Sequence, residues 1–162
     1  MQTKRAIEAP ALDISLLIGA RPERVLTAFF DPDALGAWWQ VTRSVTAPRT
    51  LGPYVVEWMP TEHRDEILGR LGGVFRGTVM HVQPGRGFFV ADAYWLPPDT
   101  DPIGPMALEV TCSSVGPEGR AATQLRVTQS GCDNSRRWRR YYEVIGHGWE
   151  RALASLKALL EK

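Results

Sequence analysis

Cysteine is scarce. The 162-residue chain carries two, Cys112 and Cys132, too few for a disulfide framework and without the paired spacing of a zinc site, which points to a reducing compartment and by default the cytoplasm. An excess of either charge is also missing: 19 Lys and Arg stand against 18 Asp and Glu, so no global field draws a polyanion and nucleic acid is not an expected partner. No stretch approaches the ~18 apolar residues of a membrane span, and residues 1–10, with Lys4, Arg5 and Glu8, lack the apolar centre of a signal peptide. Nor is there a Gly-x-Ser-x-Gly elbow, a phosphate loop or a dinucleotide fingerprint. His63, His81 and His147 have no Cys or carboxylate spacing that would recruit them as ligands, so neither metal nor cofactor is expected. Without an internal repeat, the length fits one domain over residues 1–162 with its core at about 10–160, long enough to bury roughly 70% of the unfolded surface.

What is present is a succession of β-patterned segments framed by helices. Residues 11–18 alternate apolar and polar side chains as a strand does. Pro22 then suits the first turn of a helix carrying Val25, Leu26 and Phe29 on one face, and Asp31-Pro32 starts a second short helix that ends near Trp38-Trp39. Six further strands are predicted at 41–46, 54–59, 74–82, 88–95, 106–115 and 123–128, where β-branched and aromatic clusters recur between Gly and Pro. Pro84-Gly85-Arg86-Gly87 and Gly116-Pro117-Glu118-Gly119 read as tight connections, so an antiparallel meander is the simplest pairing. Residues 60–73 and 96–105 are longer than hairpin loops and are candidates for a rim or lid.

The last segment differs. Asp133-Asn134-Ser135 offers three N-caps, and no proline follows over about 27 residues, roughly 40 Å of helix. Trp138, Tyr142, Ile145, Trp149, Ala152, Leu156 and Leu160 recur three or four apart as one apolar stripe, which must lie on the sheet. Gly146 and Gly148 interrupt it at about 1 kcal/mol each, which predicts a close approach or slight bend.

Strand, two short helices, six strands and a long final helix is the order of the helix-grip architecture, and particular residues carry the likeness further: Ala20-Arg21-Pro22-Glu23-Arg24-Val25 leading to Trp38-Trp39, Gly77-Thr78-Val79 running to Pro84, Trp95 at the end of the next strand, Thr123-Gln124-Leu125 running to Ser130-Gly131, and Gly148-Trp149 followed by Leu153 and Leu156. On these the chain resembles the START-like (SRPBCC) superfamily, in the branch named after the activator of the heat-shock chaperone ATPase. Departures fall in turns, at Gly52-Pro53, Pro84-Gly85 and Cys132. The resemblance implies an α+β fold in which a curved antiparallel sheet of about seven strands wraps the C-terminal helix, leaving a cavity for hydrophobic molecules. A chaperone partner and a role in stress response are implied by the name of the branch, although this chain has no extra domain to offer such a partner.

Trp38, Trp39, Trp58, Trp95, Trp138, Tyr142, Ile145 and Trp149 are therefore the candidate ligand-binding residues for a small apolar ligand. Each buried indole needs a hydrogen-bond acceptor, which a wet or ligand-filled cavity would supply; ordinary core packing is the competing reading. Glu57, Asp92 and Glu109 lie in strand patterns, where a buried carboxylate would be a general acid or base and a surface one merely solvated. Thr61 to Glu66 is a charge run around His63 and reads as a solvated loop. Arg136-Arg137-Trp138-Arg139-Arg140 puts four cations where the helix dipole disfavours them. The acidic loop 62–66, a ligand's anionic end or stacked nucleic acid would each compensate. The leading expectation is a carrier or sensor of a hydrophobic or amphipathic molecule, a lipid among them; the alternatives are a cyclase- or dehydratase-type enzyme using Asp92, Glu109 or Tyr142, and a chaperone-associated interaction protein.

Overall fold

A computed structural model describes residues 10–116, 121–131 and 133–162; the connection at 116–119 lies largely outside these, as does Cys132. Strand β1 (Leu12–Ile18) alternates as expected, with Leu12 and Ile18 buried and Asp13, Ser15 and Leu17 outward. Helix α1 (Pro22–Thr27) and helix α2 (Pro32–Trp39) each begin on proline, and the Asp31 carboxylate accepts the Ala34 amide at 2.9 Å, satisfying one of the free N–H groups of α2. Strands β2 (Arg43–Thr46), β3 (Pro53–Trp58), β6 (Gly73–Gln83), β7 (Gly87–Leu96), β8 (Ile103–Val115) and β9 (Ala122–Ser130) follow, and helix α3 (Arg136–Leu160) closes the chain.

The seven long strands form one antiparallel sheet in the order β1-β9-β8-β7-β6-β3-β2, a meander with β1 laid beside the last strand. Two loops differ from expectation. Within residues 60–73 the short strands β4 (Arg64–Asp65) and β5 (Gly69–Arg70) pair as a hairpin, and β8 starts three residues earlier than the pattern predicts, shortening the second loop to 97–102.

A bulge decides which side chains of β7 face the core. Its register shifts between Val90 and Ala93, and Asp92 takes a left-handed φ of 52°. Strict alternation from Phe88 and Val90 would turn Asp92 and Tyr94 inward. The extra residue reverses the parity, so that Ala93 and Trp95 are buried instead. Inward positions of the other strands are Tyr54 and Val56, Phe75 and Val79, Met106, Leu108 and Val110, and Leu125 and Val127. Together with Phe29 and Leu35 of the α1–α2 segment they form one core, where each such side chain contributes about 1.5–3 kcal/mol of apolar burial.

Ser135 is the N-cap of α3, its hydroxyl accepting the Trp138 amide at 3.2 Å. At the other end the Glu161 carboxylate accepts the Gly19 amide at 2.7 Å, and Lys157 donates to the Leu17 carbonyl at 2.8 Å, fastening the helix to the β1 end. The buried face comprises Tyr141, Trp149, Ala152, Leu153, Leu156 and Leu160. This corrects the expected stripe in its first half: Trp138, Tyr142 and Ile145 are only partly buried, and Tyr141 takes the inward place. At 100° per residue, neighbouring tyrosines point in different directions, so with Tyr141 facing the sheet Tyr142 lies to its side, where its hydroxyl donates to the Gly131 carbonyl at 2.7 Å.

Candidate functional site

Two aromatic groups stand at different heights along α3. The first joins α2, β3 and α3: Trp38 and Trp39 stack at 5.0 Å between centroids, Trp39 meets Trp58 edge-on at 5.1 Å, and Trp39 lies 4.7 Å from Trp149. The second gathers at the start of α3, where Trp95 lies 5.5 Å from Tyr141, Tyr141 is 5.1 Å from Tyr142, and Trp138 packs beside both tyrosines. Four of the six indoles donate to protein acceptors, Trp38 to the Ala28 carbonyl, Trp58 to the Trp39 carbonyl, Trp95 to the Gly72 carbonyl and Trp149 to the Gln129 side chain. Indole nitrogens are thus no reason by themselves to invoke a wet cavity. The expected site residues form two packed walls rather than one ring.

Between the walls the helix carries small or half-exposed residues. Ile145 is one turn from Tyr141 and one turn from Trp149, which are 3% and 5% exposed, yet Ile145 itself is reached by solvent. Of the two roles expected for the glycines beside it, close approach is not found: a methyl group on Gly148 would meet nothing within 4 Å, and one on Gly146 would meet only Leu12 Cδ1, at 4.0 Å. The close backbone neighbours of α3 are α2 and β1, so the approach to the middle of the sheet is spanned by side chains.

Polar chemistry at this level comes from Gln129 and Tyr141, neither of them among the sequence candidates. Gln129 is only 2% exposed. Its Oε1 accepts the Trp149 indole N–H at 3.2 Å, while its Nε2 lies 3.5 Å from the Met106 sulfur. The Tyr141 hydroxyl donates to the same sulfur at 3.3 Å. Burial pushes the Tyr141 phenol far above its ordinary value, with the Tyr142 hydroxyl adding to the rise and a hydrogen bond from Gln129 opposing it, so the group stays a neutral donor. Gln129 was within reach of sequence reasoning, since it shares the inward parity of Thr123, Leu125 and Val127 on β9.

Two of the four arginines at the start of α3, Arg137 and Arg140, are paired within the chain. Arg140 Nε donates to Asp65 at 2.8 Å, and Arg137 donates to Thr100 Oγ1 at 3.1 Å and to the carbonyls of Asp101 and Pro102. Arg70 pairs with Asp99 at 2.9 Å, and Thr100 donates to the Leu68 carbonyl at 3.0 Å. These bonds lock the β4–β5 hairpin and the 97–102 loop onto each other and onto α3, with Leu68 fully buried beneath. The Arg140 guanidinium, helped by the Ile67 and Leu68 amides, holds the Asp65 carboxyl down at about 2. A surface groove of about 550 Å³ runs beside this latch, lined by His63, Arg64, Asp65, Glu66, Ile67, Arg140 and Glu143. Its charge is unsuited to an apolar molecule.

Asp92 and Glu109 lie exposed on the sheet, and Glu57 accepts a 2.8 Å hydrogen bond from Arg43. Burial pushes the Cys112 thiol up to about 12, with Glu23 adding to the rise, leaving it unreactive. Among the described residues no group of three or more His, Cys, Asp or Glu side chains is arranged so that it could hold a metal ion, and no helix is long and apolar enough to cross a membrane.

Residues 19–161 match the family described as Activator of Hsp90 ATPase homolog 1-like protein. Among solved structures, protein MLL2253 of Mesorhizobium loti superposes with a TM-score of 0.65 at 22% identity, over 92% of this chain and 96% of that one. The AHSA1 protein SPO3351 of Silicibacter pomeroyi gives 0.62 at 17% identity over 92% and 97%. The Aha1 dimer of Colwellia psychrerythraea gives 0.58 at 17% identity over 93% and 95%. At these identities the likeness shows the fold. A search of curated proteins gives no match.

Proposed function

The chain belongs to the Activator of Hsp90 ATPase homolog 1-like family, and on that premise we propose that it binds a small hydrophobic or amphipathic molecule between α3 and the sheet, as a carrier or sensor. The observation that carries the reading is the break in the buried face of α3. Ile145 packs against the core yet is only partly buried between two fully buried aromatic side chains, and Gly148 has open space where a methyl group would sit. Apolar ligands are held by such aromatic-lined, largely preformed spaces, and two mid-helix glycines with no packing role are an expense a fully packed core would have no reason to keep.

The test is a two-dimensional NMR titration of the isotope-labelled protein with tetralin, a neutral two-ring hydrocarbon. Saturable shifts are expected at the Gly146 and Gly148 amides and at the Trp149 and Trp39 indoles, with a dissociation constant near micromolar, about −8 kcal/mol. Shifts confined to the exposed apolar residues Val45, Leu51 and Met80, or no saturable shift, would remove the proposal.

A further inference from the structure

Gln129 and Tyr141 present an imbalance in the core. Two donors, the Tyr141 hydroxyl and the Gln129 amide nitrogen, converge on the one sulfur of Met106 at 3.3 and 3.5 Å. Every buried side-chain nitrogen and oxygen among the described residues has a partner, and Gln129 also hydrogen-bonds Tyr141, but a thioether is a weak acceptor, so the Met106 sulfur is the weakest member of this buried network. Gln129 cannot turn its oxygen toward Tyr141 without abandoning the Trp149 indole, whose N–H it accepts at 3.2 Å. The amide is thereby held with its nitrogen aimed away from that wall, toward Tyr141 and Met106. Met106 is the one partner of the three with three rotatable bonds and no directional demand, so it is the group that can yield.

We propose that this pair is the polar handle of the ligand site, and that the ligand is an uncharged, flat apolar molecule bearing one acceptor oxygen, such as a ketone, which takes the place of the Met106 sulfur. The proposal rests on the binding reading above. Flatness is argued from the rings that would flank the ligand, Trp95 packed on Tyr141 and Trp39 packed on Trp149, since flat molecules stack on aromatic side chains. Neutrality follows from the cations. Arg137 and Arg140, the arginines half-buried at the start of α3, already serve the 97–102 loop and Asp65, and a carboxylate brought between the walls would be desolvated with no opposite charge to meet it. A single oxygen suffices because the two donors point at one atom.

The experiment compares tetralone, which carries one carbonyl, with tetralin, the same skeleton without it, and with tetralin carboxylate, each titrated into the full chain. Tetralone is expected to bind roughly three- to ten-fold more tightly than tetralin, the worth of one net hydrogen bond, and the carboxylate more weakly than either. In Tyr141→Phe, which keeps the ring and removes the hydroxyl, the tetralone advantage over tetralin should fall to less than two-fold. The carbonyl stretch of carbon-labelled tetralone should shift to lower frequency on binding and recover in that variant, an effect that mere repacking does not produce. Gln129→Met, which keeps the side-chain length, should lower the advantage in the same way; its native-like spectrum would be checked first. Equal affinities of tetralone and tetralin, an unmoved carbonyl stretch, or tighter binding of the carboxylate would overturn the handle while leaving the apolar site standing. No saturable binding of any probe would overturn both.

Discussion

Replacing Gly148 by Ala should stabilise the protein, and the structure fixes how much. Gly148 lies deep inside α3, where glycine costs about 0.8–1.0 kcal/mol relative to Ala because its backbone loses more freedom on folding. A methyl group there meets nothing within 4 Å, so neither a clash nor a packing gain alters the propensity term, and the full 0.8–1.0 kcal/mol should appear as about 2–4 °C in Tm for a chain of this size. Gly146→Ala reaches only Leu12 Cδ1, at 4.0 Å, an ordinary contact, so it should give a similar gain. Positions two apart on a helix do not face each other, and the double variant should therefore rise by roughly the sum. Differential scanning calorimetry of the four proteins measures this directly. A fall in Tm for either single variant would show that the glycines serve a close approach or a bend, and would refute the open space beside Ile145.

Gly77 should behave oppositely, since a methyl group there would lie 2.5 Å from Val90 Cγ1 and 3.0 Å from Ala93 Cβ; Gly77→Ala should cost about 1–3 kcal/mol in chemical denaturation, and a neutral result would contradict the packing of β6 on β7. Asp65→Asn should lower Tm at neutral pH by loosening the hairpin from α3. Because the native Asp65 carboxyl is held at about 2, below its unfolded value, its contribution is present above about pH 4 and is lost as pH falls toward 2; melting temperatures of variant and parent should converge there, and a constant difference across that range would dismiss the Arg140 pairing as its cause.

Much of the fold was legible because its signals are local. Asp31 and Ser135 cap the helices that their positions announce, and the alternation of β1 and β9 survives unchanged. Features set by distant partners were not. The acidic loop at 62–66 was among the expected partners of the arginine cluster, and Asp65 does meet Arg140 across 75 residues of chain, but the two-residue strands of the β4–β5 hairpin lie in a charged run with no strand pattern to announce them. The bulge at Asp92 reverses the parity of β7 within a segment whose apolar residues fit either face. In the candidate site the phase of α3 was ambiguous between Tyr141 and Tyr142, of which Tyr141 faces the sheet and Tyr142 meets the Gly131 carbonyl. Gln129 carried a readable sign, a polar residue at an inward position, that attention to aromatic residues passed over.

The binding reading is tested most directly at Ile145. In a close-packed interior, Ile145→Trp would force an oversized ring against Tyr141 and Trp149 and cost about 1–3 kcal/mol, roughly 2–12 °C in Tm. A real gap accepts the ring and is filled by it. Thermal melting and tetralin titration of this one variant should therefore show Tm unchanged or raised and tetralin affinity reduced at least roughly ten-fold, about 1.4 kcal/mol. A Tm several degrees lower together with undiminished tetralin binding would contradict the account, placing Ile145 in ordinary core and any ligand elsewhere.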